Sequence, residues 1–221
     1  MDSAHLPLRI DLRLRTPWAP PQRPLHFDGL LLGVLFDRAL RARRDENEIA
    51  QLHAQLPLAH EMLDGEIVYC ASYVEPTEVL GSERLYMTAK TPVEKLAAWM
   101  TASPQVVTGN VPKTFDTVRG PLKNSTFFVT VQTTPLLRAY CVGDPDGIAD
   151  LLSEVRSIGR KRNKGLGILA EPPSIEEDEC ALERWRHRAM PVPCPGYVPD
   201  VGTVRPPYAV AVAERPIWRP L

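Results

Sequence analysis

Four cations and three glycines fall within the nine residues Gly159-Arg160-Lys161-Arg162-Asn163-Lys164-Gly165-Leu166-Gly167. The chemistry open to such a stretch is the holding of an anion. Glycine admits φ > 0 and lets the backbone approach a ligand closely. Successive N–H groups in such a turn form an anion-binding concavity. Arg160, Lys161, Arg162 and Lys164 add the charge that a phosphate backbone requires. The segment before the loop reads as an amphipathic helix and the segment after it, 166–170, as a strand. That order differs from a Walker loop, which opens a helix with G-x-x-x-x-G-K-[ST], and from a dinucleotide fingerprint, which runs strand, glycines, helix. Mononucleotide binding is therefore not expected. The competing reading is a helix C-cap at Gly159 followed by a solvated basic turn, the usual fate of a charge run.

His26 is the histidine best placed for chemistry, between the first strand and the first helix. It could carry chemistry there, or simply pack beside Phe27 and Asp28. No second histidine or tyrosine is visibly paired with it in sequence. His53 and His60 are separated by Pro57 and need not share a helix face. Asp144 and Asp146 suit a helix N-terminus better than a divalent site. Asp150 completes no ligand pattern, and the four cysteines (Cys70, Cys141, Cys180, Cys194) contain no C-x-x-C. Neither a metal nor a cofactor is expected.

The elements that must position the loop can be read in order. Residues 8–15 alternate apolar and charged side chains, the period-2 pattern of a half-buried strand, with Arg13 and Arg15 on its polar face. After a proline-rich connector, Asp28 can cap a helix whose Leu30, Leu31, Val34, Leu35 and Leu40 form an apolar face. Residues 45–60 suggest a short helix and a loop. Residues 66–74 are almost wholly apolar and read as a central strand. Residues 84–89 suggest a short strand. Thr91-Pro92-Val93-Glu94 carries a helix-start signature. Residues 104–124 form an irregular excursion with the cations Lys113, Arg119 and Lys123. Strands at 126–133 and 136–142 follow, then a helix from Asp144-Pro145 with Ile148, Leu151, Leu152, Val155 and Ile158 on one face. Ser174 is expected to cap a further helix, acidic at its start and ending in Arg184, Arg186, His187 and Arg188 before a proline-rich tail. The order strand, helix, strand, excursion, strand, helix, strand is the split βαβ, ferredoxin-like arrangement of an α+β protein.

Composition sets outer bounds. The chain has 221 residues, 24% of them charged, and a formal net charge of −1. Any nucleic-acid affinity must come from a local patch, since Glu176-Glu177-Asp178-Glu179 offsets the basic loop in the total. The longest apolar run, near 30–36, is too short to span a bilayer, and no signal peptide is evident. With thiols this scattered, a cytoplasmic protein with reduced cysteines is expected.

The 159–167 loop, placed before a last strand, and Pro24-Leu25-His26-Phe27-Asp28-Gly29-Leu30-Leu31 at the first helix together resemble the CRISPR-associated RAMP superfamily, over roughly residues 6–171. The compact size and the 104–124 excursion resemble its Cas-five branch, in the form found in type IV effector complexes. The resemblance implies a modified ferredoxin-like domain over 1–171, with a thumb-like excursion, and a helix plus proline-rich tail over 172–221. It implies a non-catalytic RNA-binding subunit of a ribonucleoprotein complex in antiviral defence, which holds the guide-RNA (crRNA) 5′ handle and caps the backbone filament. Gly159, Arg160, Lys161, Arg162, Asn163, Lys164, Gly165 and Gly167 would grip RNA, while Lys113, Arg119 and Lys123 would serve the thumb. The implied partners are guide RNA and the backbone-forming and large effector subunits, with target DNA left open and no membrane. The alternative within the superfamily is a metal-independent guide-RNA-processing endoribonuclease using His26. A third reading is an unrelated ferredoxin-like interaction module whose basic loop is a solvated turn.

Overall fold

A computed structural model describes residues 5–45, 48–49, 51–89, 125–206, 208 and 214–221. The helix start at 91–94 and the 104–124 excursion lie outside these residues. The chain divides into two compact units, one of Met1–Ser82 with Gln132–Leu221 and one of Glu83–Val131. The architecture is α+β.

The first unit is built on β1 (Leu6–Arg13), where the alternating pattern does what it predicts. Leu8, Ile10 and Leu12 are fully buried, while Arg9 and Arg13 emerge on the opposite face. Leu8, Ile10 and Leu12 meet Phe27, Leu31 and Val34 of α1 (Phe27–Arg41) and Ile148, Leu151 and Leu152 of α2 (Pro145–Leu152) in one core. Burying side chains of this size contributes about 1.5–3 kcal/mol each. Arg38 of α1 reaches Asp150 and Glu154 at 2.6 and 2.5 Å and ties the two helices together at their exposed edge.

The sheet order is β4-β7-β1-β8, all antiparallel, with β4 at Glu75–Pro76, β7 at Leu136–Gly143 and β8 at Ser174–Glu177. This order, with α1 and α2 as crossovers, is compatible with a ferredoxin-like fold. Asp11 faces Arg138 across the central pair and accepts two hydrogen bonds from it, at 2.6 and 2.8 Å. Arg13 pairs with Glu171 at 2.8 Å, and Arg9 pairs with Glu176 and Asp178. The polar face of β1 is thus charge-compensated rather than cationic.

Four expectations need correction. Residues 66–74 are not a central strand. Only Glu66–Tyr69 (β3) is strand, in a hairpin with β2 (His60–Leu63). The run is apolar because it serves two cores: Tyr69, Ala71 and Val74 join the main one, while Val68 and Cys70 pack with Trp185 and Met190. Residues 174–177 are a strand, not a capped helix. Pro172 and Pro173 deliver the chain extended, and Glu176 stands opposite Arg9. The helix comes later and is short, α3 (Ala181–Arg184). α2 stops at Leu152, and Val155 and Ile158 are buried from irregular backbone. Residues 166–170 form no strand, only the isolated bridges Ser157↔Ile168 and Leu14↔Leu169.

The chain closes with a hairpin of β9 (Tyr197–Gly202) and β10 (Arg215–Pro220). β5 (Gly81–Ala89) and β6 (Ser125–Thr133) form a two-stranded ribbon, on which Tyr86 and Phe128 meet edge to face at 5.6 Å.

Candidate nucleic-acid interface

The basic loop is stapled to the connector after β1. The Arg160 N–H donates to the Ala19 carbonyl (2.8 Å), the Gly167 N–H to that of Pro17 (2.9 Å) and the Ile158 N–H to that of Gly167 (2.8 Å). This close approach explains two of the glycines. Gly159 has φ +88° and a Cβ there would lie 2.6 Å from the Ala19 oxygen; Gly167 has φ +66° and its Cβ would lie 1.9 Å from the Ile158 oxygen. Any side chain at either position would force the loop off its seat. The tip is a single 3-10 turn, Arg162–Lys164, bounded by Lys161 and Gly165, both left-handed. Gly165 differs from its two neighbours, because a Cβ there would meet nothing within 4 Å.

The N–H groups of Lys164 and Gly165 donate back to Lys161 and Arg162, at 2.8 and 3.0 Å. With Arg160 and Gly167, four of the loop's amides are engaged within the chain. Four amides of the concavity suggested by the glycines are therefore used in folding the loop. What it presents outward is side chains: Arg162, Asn163 and Lys164 are exposed, and Arg160 and Lys161 are half-buried. Among the described residues no carboxylate pairs with Arg160, Arg162 or Lys164, in contrast to the arginines of β1 and α1.

The loop forms one wall of a cleft of about 800 Å³. Gly33, Phe36 and Leu40 of α1 face Arg156, Arg160 and Arg162 across it. Glu154, also on the cleft, is engaged by Arg38 and Arg41, whose hydrogen bonds hold its carboxyl below the usual range. The loop side is cationic, and the α1 side is mostly apolar but also carries Asp37 and Arg41.

His26 is the residue before α1 and is 7% exposed. Its ring stacks on Tyr208 (centroids 3.9 Å) and meets Tyr73 edge-on at 4.6 Å. The aromatic partners not evident in sequence are thus supplied by distant segments. Burial, then the charge of Arg188, push its pKa well below the ordinary histidine value. Nδ1 has no hydrogen-bond partner among the described residues.

Asp28 does not cap α1. It lies inside the first turn, fully buried, and accepts from the Tyr208 hydroxyl at 2.9 and 2.7 Å and from Arg188 at 3.2 Å. Arg188, expected in the last turn of a helix, lies beyond α3 and is also fully buried. It donates to the carbonyls of Tyr69, Ala71 and Val204 and to the Tyr208 hydroxyl. Burial presses its pKa down, yet Asp28 and Tyr208 hold it above the ordinary arginine value. No sequence pattern announces this cluster, whose members come from positions 28, 188 and 208.

Asp144 caps α2 as expected, accepting from the Asp146 N–H at 3.2 Å, and Asp150 is taken by Arg38. No group of three or more His, Cys, Asp or Glu suited to a metal occurs among the described residues. Lys113, Arg119 and Lys123 lie outside them. No helix among the described residues is long and apolar enough to cross a membrane.

The family model of the CRISPR type IV associated protein Csf3 matches residues 6–215. The chain belongs to that family. The match runs well past residue 171 and covers the residues of β8, α3 and β9, which lay outside the resembling segments. A search of curated proteins found no match. Membership makes this a type IV CRISPR-associated protein and gives the cationic cleft its context.

Proposed function

We propose that the chain is a non-catalytic RNA-binding subunit of a type IV CRISPR effector complex, which holds the guide-RNA 5′ handle against the basic loop and caps the backbone filament. One observation carries this reading: on a loop stapled to the 17–19 connector, Arg160 and Arg162 line a cleft and, with the exposed Lys164 beside them, stand without a carboxylate partner among the described residues, in a member of a CRISPR family. With a net charge of −1 the chain has no general cationic field, so RNA affinity rests on this patch. Backbone phosphates would lie along the cations, with the RNA single-stranded and splayed, as RNA readers usually require. Lys113, Arg119 and Lys123 would contact the handle bend and the neighbouring subunit, a role that rests on the resemblance alone. The test is purification of the chain from cells expressing the CRISPR array and the other type IV subunits. Guide RNA and the filament-forming subunit should co-purify, and ultraviolet crosslinks should fall within 156–164. A complex that assembles with no crosslink in the loop would count against the site.

His26 is proposed to be structural. A base whose pKa lies far below working pH drives proton transfer weakly, and it holds no proton to donate at neutral pH. Repeat-length RNA should survive hours with the purified chain, with or without EDTA. Site-specific cleavage that is insensitive to EDTA and lost in His26→Ala would establish the endoribonuclease instead.

A further inference from the structure

Of the described phenylalanines, tyrosines and tryptophans, three are exposed: Phe36, Tyr86 and Phe128. Tyr86 and Phe128 cover one another on the β5–β6 ribbon. Phe36 has neither a ring nor a cation stacked on it among the described residues. It is 42% exposed although its helix, α1, buries Phe27, Leu31 and Val34 in the core. Leu40, one turn further on, is 52% exposed. Single apolar residues scattered over a surface are ordinary. These two are neighbours on one helix face, and both line the cleft that also carries Arg156, Arg160 and Arg162.

The two walls of the cleft differ in what they can hold. None of Arg156, Arg160 and Arg162 has a carboxylate partner among the described residues. On the α1 wall the exposed Asp37 opposes a phosphate, and Arg41 is taken by Glu154. Phosphate is therefore favoured on the loop side, and a flat apolar group on the α1 side. We propose that Phe36 is a stacking platform for a nucleobase of the bound RNA, with Leu40 packing beside the same nucleotide and its phosphates held by the three arginines. This rests on the RNA-holding role proposed for the loop, and it names the part of the nucleotide that α1 takes. The site requires unpaired RNA, whose bases are free to leave the stack and lie on an aromatic side chain. Every base has a π-face, so the platform tolerates any of the four.

The experiment measures binding of the full chain to handle-length single-stranded RNA of the CRISPR repeat across a salt series. Phe36→Ala should lower affinity about 5- to 150-fold, the range for loss of one base–aromatic stack. The salt slope should stay as in wild type, because no phosphate contact is removed. Phe36→Leu keeps an apolar side chain without the ring and should lose nearly as much. Phe36→Trp should bind at least as tightly as wild type, and RNA should quench its fluorescence more than that of the wild-type chain. Position 36 lies outside the core cluster, so the melting temperatures of all three variants should stay close to wild type. Wild-type affinity in Phe36→Ala or in Phe36→Leu, with salt-dependent binding intact, would overturn the platform alone. If Phe36→Ala kept its RNA affinity but lost the filament-forming subunit, this helix face would belong to a protein partner, and the platform would fall. Absence of any RNA binding by the wild-type chain would overturn both the platform and the loop's role.

Discussion

Replacing Asp28 by asparagine should be the most damaging near-isosteric change in the chain. The substitution preserves shape and removes one charge. Arg188 would remain a buried cation whose other partners, three carbonyls and the Tyr208 hydroxyl, are all neutral. Both members of the pair are fully buried, so solvent cannot screen the loss. Removing one partner of such a pair costs about 3–5 kcal/mol, against a total stability of about 5–15 kcal/mol for a typical domain. With a urea m-value of about 2 kcal/mol/M, the midpoint should fall by about 1.5–2.5 M. The assay is equilibrium urea denaturation followed by far-UV circular dichroism at pH 7. Arg38→Ala provides the comparison, since its partners Asp150 and Glu154 are partly exposed and such a pair contributes about 0–1 kcal/mol. Arg188→Met in the Asp28→Asn background should recover part of the loss, because no buried charge then remains unpaired. A cost below about 1 kcal/mol for Asp28→Asn, equal to that of Arg38→Ala, would refute the reasoning.

Two further outcomes follow from the same geometry. Gly167→Ala should unseat the basic loop, because its Cβ would sit 1.9 Å from the Ile158 oxygen, whereas Gly165→Ala meets only the strain of φ +80° in open space; thermal melts should show the first losing clearly more stability than the second, and equal losses would contradict the stapled loop. Acid should destabilise the protein through His26: burial, then the charge of Arg188, hold its folded pKa well below the ordinary histidine value of about 6.5, so below about pH 6.5 the unfolded chain binds a proton that the folded chain refuses. Stability then falls with pH by up to about 1.4 kcal/mol per unit. His187 acts oppositely, since its hydrogen bond to Glu75 raises its pKa; that contribution is complete below pH 6.5 and fades as pH rises through the raised value, and exposure makes it small. His26→Phe should therefore flatten the acid limb of a stability–pH curve between pH 5 and 6.5, and an unchanged limb would assign it elsewhere.

The parts of this fold that were legible in sequence are those set by local pattern. Strict alternation located β1, and Asp144-Pro145 located the start of α2, because cap and periodicity are written within a few residues. Residues 66–74 misled because an apolar run reports burial, not pairing, and two separate cores bury its alternate side chains. Residues 174–177 misled because Ser followed by acids reads as a helix start, while the deciding partner, Arg9, lies far away in the chain. The same holds for the site. The loop's composition pointed to itself, and Gly159 and Gly167 are explained by approach to 17–19, a contact no local reading contains. The partners of His26 and the Asp28–Arg188–Tyr208 cluster were hidden for that reason: each depends on side chains from the far end of the chain.

The most direct test of the central claim is the salt dependence of RNA binding. For single-stranded RNA, log K falls with log salt at about −0.7 per phosphate neutralised. The full chain and the variant with Arg160, Lys161, Arg162 and Lys164 all replaced by alanine should be titrated with handle-length RNA from about 50 to 200 mM salt. The account predicts weaker binding by the variant and a slope flatter by up to about 2–3. A variant that binds more weakly or equally, but with an unchanged slope, would show that the loop does not touch phosphate.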